Sequence, residues 1–245
     1  MNAPTTHPAP HTSTPGAPAA ARQFVNFAFY KLNPEWHRLP AADRTAGKKE
    51  VLDALVPFSA STITRTYSTY GFRAETDFFI WRISYRLEDF EDMTAALNRT
   101  KLGSYLTMPL SFLSQSKRST YVDKLNPEHE NQRTKIQPGK YKYLFIYPFV
   151  KTREWYLLPM AERQKMMDEH IMVGNKFPSV KLNTTYSFGL DDQDFVVAFE
   201  SDYPSDFLDL VMALRETQGS RFTVRDTPIF TGVHRTLEDT LNLIA

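Results

Sequence analysis

The 245-residue sequence predicts an α+β fold of two tandem βαββαβ units, the ferredoxin-like arrangement. Two observations carry that prediction. Glu35-Trp36-His37-Arg38-Leu39-Pro40-Ala41-Ala42-Asp43-Arg44 recurs as Glu154-Trp155-Tyr156-Leu157-Leu158-Pro159-Met160-Ala161-Glu162-Arg163, with Glu, Trp, Leu, Pro, the second Ala and Arg at a constant offset of 119. Further on, Asp77-Phe78 and Asp89-Phe90-Glu91-Asp92 up to Ala96-Leu97 recur as Asp194-Phe195 and Asp206-Phe207-Leu208-Asp209 up to Ala213-Leu214, at an offset of 117. A difference in loop length produces that small change of offset.

The elements follow in order. Apolar alternation places the first unit's strands at 23–32, 60–70, 76–85 and 108–117, and helical spacing places its helices at 42–56 and 88–100. The second unit repeats the plan with strands at 141–151, 180–190, 194–201 and 221–231 and helices at 160–176 and 205–217. Phe195-Val196-Val197-Ala198-Phe199 is apolar on both faces, which suits a strand covered on both sides. Such sheets bury one face under their own helices, and the two units can pack sheet on sheet. Residues 1–21 hold five of the sixteen prolines with Ala, Thr and Ser, and read as a disordered tail rather than a signal peptide. Residues 119–139 are polar, carry Pro127, Pro138 and Gly139, and read as a linker between units at 22–118 and 140–245.

Composition narrows the function classes. With 42% hydrophobic and 23% charged residues the chain can bury a sizeable core, and a net charge of +1 gives no global pull toward nucleic acid or an anionic membrane. The absence of cysteine excludes disulfides, thiolate nucleophiles, Cys-ligated zinc, iron–sulfur clusters and thiolate-ligated haem, and is compatible with a cytoplasmic location. No apolar run approaches the ~20 residues that span a bilayer.

The second unit's first helix carries Met166, Met167, His170, Ile171 and Gly174 on one stripe. A histidine on an apolar face is ordinarily a core residue whose ring nitrogens have found partners. Two features point further. Gly174, one turn on, costs the helix about 1 kcal/mol relative to alanine and leaves a gap beside the imidazole for something flat. The repeat also puts Val51 where the second unit has His170, so the fold accepts an aliphatic group there. A metal-centred macrocycle held by one neutral imidazole would fit.

On the preceding strand, Tyr141, Tyr143, Phe145, Tyr147, Phe149 and Lys151 alternate onto one face, making Tyr147 and Lys151 neighbours. A surface strand with a snorkelling lysine is the plainer account. Pro148 marks an edge strand or a bulge. Phosphate-loop, dinucleotide, zinc-protease and nucleophile-elbow motifs are all missing. His7, His11, His37, His129 and His234 show no metal-ligand spacing, and Asp191-Asp192 after Gly189 reads as a turn. Arg133, Lys135, Lys140 and Lys142 form a local basic cluster, either a solvated edge or a receiver of carboxylates.

The duplicated halves, YPFVKTREWYLLP, DEHIMVGNKFP and YSFGLDD together resemble the chlorite dismutase-like haem proteins. The resemblance covers everything after the tail. It implies two ferredoxin-like units packed as a dimeric α+β barrel, an iron porphyrin in the C-terminal half and a homo-oligomer, usually a pentamer. His170 then falls at the proximal iron ligand, with Lys151 and Trp155 near the macrocycle. The family divides into chlorite dismutases and coproheme decarboxylases, which use hydrogen peroxide to turn two propionates of coproheme, the substrate, into the vinyls of haem b, the product. Tyr147 matches the decarboxylases, in which a tyrosyl radical attacks the propionate. Leu182 stands where chlorite dismutases carry a distal Arg and many decarboxylases Gln, so no cation is available there to hold an oxyanion. The resemblance further implies catalytic roles for Tyr147 and Lys151, propionate anchoring by Arg133 and by Arg221, and transient contact with a ferrochelatase. The alternatives are a chlorite dismutase or haem peroxidase, a non-catalytic haem-binding protein, and a structural oligomer without haem.

Overall fold

A computed structural model describes residues 21–123 and 134–245. His7, His11, His129 and Arg133 therefore lie outside the described residues. The first half runs β1 (Phe24–Leu32), α1 (Ala41–Leu55), β2 (Ile63–Ser68), β3 (Phe78–Ser84), α2 (Glu88–Asn98) and β4 (Leu106–Gln115). The second runs β5 (Tyr143–Lys151), α3 (Arg153–Leu157), α4 (Met160–Gly174), β6 (Lys181–Tyr186), β7 (Phe195–Ser201), α5 (Pro204–Arg215), β8 (Thr223–Arg225), β9 (Phe230–Arg235) and α6 (Leu237–Ile244).

Antiparallel pairing gives the order β4-β1-β3-β2 in the first half and β6-β7-β5-β9 in the second, the same ferredoxin-like order twice. The halves join where Thr66–Ser68 of β2 pair with Val233–Arg235 of β9 and where Gln115 of β4 meets Tyr186 of β6. These joints close a ring of eight strands, with β8 added beside the end of β5. The expected α+β barrel is thus the observed architecture.

Alternation decides what fills it. Val25, Phe27, Phe29, Phe79, Trp81, Leu144, Ile146, Val196, Ala198 and Phe230 point inward into one aromatic-rich core shared by both halves. Outside, Val51 of α1, Leu97 of α2 and Leu241 of α6 pack on Ala28, Leu32 and Ile80 of the first half, while Phe207 and Leu210 of α5 pack on Phe145, Tyr147, Val197 and Phe199.

Two expectations need correction. The strand expected at 221–231 is two pieces, β8 and β9, and β9 continues to Arg235. β5 is not an edge strand: it pairs with β7 over Tyr143–Phe149 and on its other side with β9 over Tyr143–Ile146, then with β8. Pro148, which has no N–H to donate, falls in the gap between those two partners, and the other half of the expectation holds because the register shifts at Val150 and Lys151. The described C-terminal end of the linker is ordered against the barrel, with Ile136 buried in its core and donating its N–H to Gln23 Oε1 at 2.6 Å, and the Gly139 N–H donating to Glu200 Oε2 at 2.7 Å.

Candidate functional site

The duplication supplies an internal reference for every residue of the candidate site. Glu50 and Glu169 play one part in both halves, accepting the Lys101 and Gln218 backbone N–H respectively, each at 2.8 Å. Asp77 and Asp194 likewise accept the N–H that ends the first strand, Leu32 and Lys151, again at 2.8 Å. Trp36 and Trp155 are both fully buried, against Tyr105 at 5.4 Å and Phe222 at 5.5 Å. The frame is common, so differences within it are informative.

Three differences coincide. Ala28, Leu32 and Val51, at most 5% exposed and members of one apolar cluster, have Tyr147, Lys151 and His170 as their counterparts. Their registers agree: Ala28 pairs with Ile80 as Tyr147 pairs with Val197. The covering helix differs too, because α1 buries Gly47 and Val51 whereas α4 buries none of its residues. In the first half, Leu241 and Ile244 of α6 complete the cluster; the C-terminal half's outer cluster contains no α4 residue. The expected apolar stripe of α4 is therefore left part-exposed rather than packed into a core.

His170 is partly exposed, and neither ring nitrogen has a hydrogen-bond partner among the described residues. Desolvation, reinforced by the Lys151 ammonium and opposed by Glu169, pulls its pKa down to about 4, so the imidazole is neutral at physiological pH with lone-pair capacity to spare. α4 is tethered a turn or two away: Gln164 exchanges two hydrogen bonds with the Val122 backbone and donates to Asp168 Oδ1 at 2.6 Å.

Lys151 follows the bulge in β5. Its ammonium donates to the Gly219 carbonyl at 2.5 Å and lies 4.6 Å from the centroid of Trp155 and 5.3 Å from that of Phe149. Burial pulls its pKa down to about 8. Tyr147 is 8% exposed, stacked at 6.1 Å on Phe199, and burial holds its phenol protonated far above the ordinary tyrosine range. Between them on β5 stands Phe149, whose ring the Lys151 ammonium approaches, and the register shifts between Val150 and Lys151.

Trp155 is accounted for by the fold, since Trp36 does the same elsewhere; its particular contribution is the face it offers to Lys151. At Gly174 a Cβ would meet nothing within 4 Å, so no described atom requires glycine there. Leu182 is exposed on β6 and paired with Phe199, the residue on which Tyr147 stacks. Arg221 is exposed, its guanidinium 5.7 Å from the Phe222 ring, and is not drawn into the group. Lys135, Lys140 and Lys142 are exposed, as a solvated edge would be, and Asp191 is a turn residue whose carboxylate accepts the Leu113 and Asp192 N–H groups. No group of three or more His, Asp or Glu among the described residues could hold a metal ion.

Sequence reasoning misses three things. Tyr156 donates to Asp194 Oδ2 at 2.7 Å, joining it to the Lys151 backbone. Met166 approaches Gly219 where the first half sets Gly47 against Leu102, an exchange of large and small that leaves Gly219 beside Lys151. Helix α6 is the third, although Leu237, Leu241 and Ile244 are helically spaced behind a Thr236 N-cap, whose hydroxyl accepts the Asp239 N–H.

A chlorite dismutase family model matches residues 44–235, and the chain belongs to that family. Within it, the chain is 33% identical over 180 residues to a coproheme decarboxylase of Mycolicibacterium smegmatis, covering 73% of this chain and 74% of the relative. It is 25% identical over 229 residues to the chlorite dismutase of Ideonella dechloratans, covering 91% and 80%. The solved structure of a variant of chlorite dismutase from Candidatus Nitrospira defluvii superposes with a TM-score of 0.84 at 26% identity, over 92% of this chain and 96% of that one. No helix among the described residues is long and apolar enough to cross a membrane.

Proposed function

We propose that the chain binds an iron porphyrin in the cleft between α4 and the outer face of β5–β7, and acts as a coproheme decarboxylase. One observation carries the reading: in an otherwise repeated frame, three packed apolar positions are replaced together by an imidazole, an amine and a phenol, beside a helix none of whose residues is fully buried. The residues fit such a guest, because His170 offers an unpartnered neutral imidazole and Gly174 borders open space. When bound, the iron makes hydrogen peroxide usable as a two-electron oxidant.

His170 holds the iron from the α4 side. Lys151, mostly protonated at neutral pH, pairs with a propionate carboxylate, and that pairing raises its pKa again. Tyr147, once oxidised to the neutral phenoxyl, removes a hydrogen atom from the β-carbon of a propionate and returns to phenol. The propionate radical then loses CO₂ and one electron and becomes a vinyl group. The buried aromatic surroundings of Tyr147, Phe145, Phe199 and Phe207, exclude water from that radical. Leu182 supports the decarboxylase over a chlorite dismutase, since it brings no positive charge to an oxyanion. Homo-oligomeric assembly belongs to the same reading and is checked by sedimentation.

Purified protein mixed with iron coproporphyrin III and then peroxide tests it. The expected result is loss of two CO₂ per porphyrin, abolished in Tyr147→Phe while porphyrin affinity is kept. O₂ release from chlorite without loss of mass assigns the protein to the other activity. Tight binding with neither reaction makes it a carrier.

A further inference from the structure

We infer that the fold contains a second cleft, in the N-terminal half, and that the chain's own C-terminal helix α6 is its occupant. The repeat locates it. Val51, Ile80 and Ala28 are the counterparts of His170, Val197 and Tyr147, and Leu241 and Ile244 of α6 pack into that same cluster at 1% and 2% exposure. Lys48, on α1, donates to the Ala245 carbonyl at 3.0 Å and ties the chain end in place. The plug does not fill the space completely: a cavity remains, lined among others by Leu55, Phe58, Thr64, Thr66, Met93 and Leu237. Thr64 and Thr66 face Arg82 and Ile80 across the strands as Leu182 and Thr184 face Phe199 and Val197, so this cavity is the counterpart of the proposed porphyrin cleft. Leu55 stands where the other half has Gly174.

At eight residues α6 is too short to be helical alone, so its structure depends on docking. It follows the last residue matched by the family model, Arg235. The lining of the residual cavity, apolar side chains with the three hydroxyls of Ser59, Thr64 and Thr66, gives an apolar dye a place to bind once α6 is loosened.

The chain has no cysteine, so Val51→Cys places a single thiol on the cleft floor. In the full-length protein it should resist maleimide. Adding Leu241→Ala and Ile244→Ala, which loosen α6, should raise its labelling at least tenfold and create binding of an anilinonaphthalene dye, while His170→Cys in the same background labels at an unchanged rate. A peptide of residues 236–245 added in trans should restore protection and displace the dye. Equal protection with and without the alanines, in protein that still unfolds cooperatively, overturns the inference, as does dye that the peptide fails to displace. If the double variant does not fold, Leu241→Ala alone is judged by the same rates. The sense given to the second cleft rests on the porphyrin reading of the first, but no porphyrin enters this experiment, so the two fail separately.

Discussion

Replacing His170 by the residue its counterpart carries, valine, separates the roles that the two halves assign to one position. In the porphyrin-free protein His170 titrates at about 4, against 6.5 for an imidazole in water. Between those values the unfolded chain binds a proton that the folded chain refuses, so the stability of the wild type falls as pH drops through that window. At pH 7.5 both states are neutral and the group contributes nothing. At pH 5 the same two values give a loss of about 2 kcal/mol, an upper bound because the ring keeps some solvent contact. His170→Val has no such loss. Urea unfolding of both proteins without porphyrin at pH 7.5 and pH 5 should show the variant gaining on the wild type by up to about 2 kcal/mol at the lower pH, other titrations cancelling between the two. The same variant should lose the imidazole–iron absorption signature with iron coproporphyrin. A gap between the proteins that is unchanged by pH would mean that the imidazole is solvated as in water, and the desolvated cleft-facing ring would have to be abandoned.

Two further outcomes follow from the same geometry. Gly174→Ala should leave the porphyrin-free protein as stable or up to about 1 kcal/mol more stable, because a Cβ meets nothing within 4 Å and alanine favours the helix, yet weaken porphyrin binding in a fluorescence-quenching titration. Lys151→Leu, which installs the counterpart residue, should lower the decarboxylation rate. In porphyrin-free protein the wild type should gain on this variant as pH rises from about 8 toward 10.5, where the unfolded lysine still holds the proton that the folded one has released; denaturation midpoints across that range measure it.

The fold is legible because a duplicated sequence states its pattern twice, and offsets of 119 and 117 set the order of elements from residue identities alone. The interruption at 226–229 is not legible: nothing local says that the end of β5 will take β8 on the side where β9 pairs earlier. Among candidate residues, His170 stands out through its counterpart Val51, a comparison of residue types at one place. That the bulge falls at Lys151 is not legible, because strand alternation gives a face whereas the register shift between Val150 and Lys151 is set by tertiary pairing with β8. Tyr156 carries no signal, since its hydrogen bond to Asp194 joins residues 38 positions apart.

One half of this repeated fold tolerates polar groups at positions that the other half packs with apolar ones, and the tolerance has a physical source. Exchanging Leu32 and Val51 for Lys151 and His170 forfeits on the order of 1–3 kcal/mol of apolar burial at each place. The barrel interior, shared by both halves and lined by residues at most 4% exposed, is untouched by the exchange, because alternation puts Leu144 and Ile146 inside while Tyr147 and Phe149 face out. In the C-terminal half the outer layer is packed under α5, while α4 is freed from that role. In the N-terminal half the same layer stays packed, and α6 adds Leu241 and Ile244 to it. A single duplication thus supplies one half as ballast and the other as a site, and the expectation that both halves bury their helices alike fails at α4 for that physical reason.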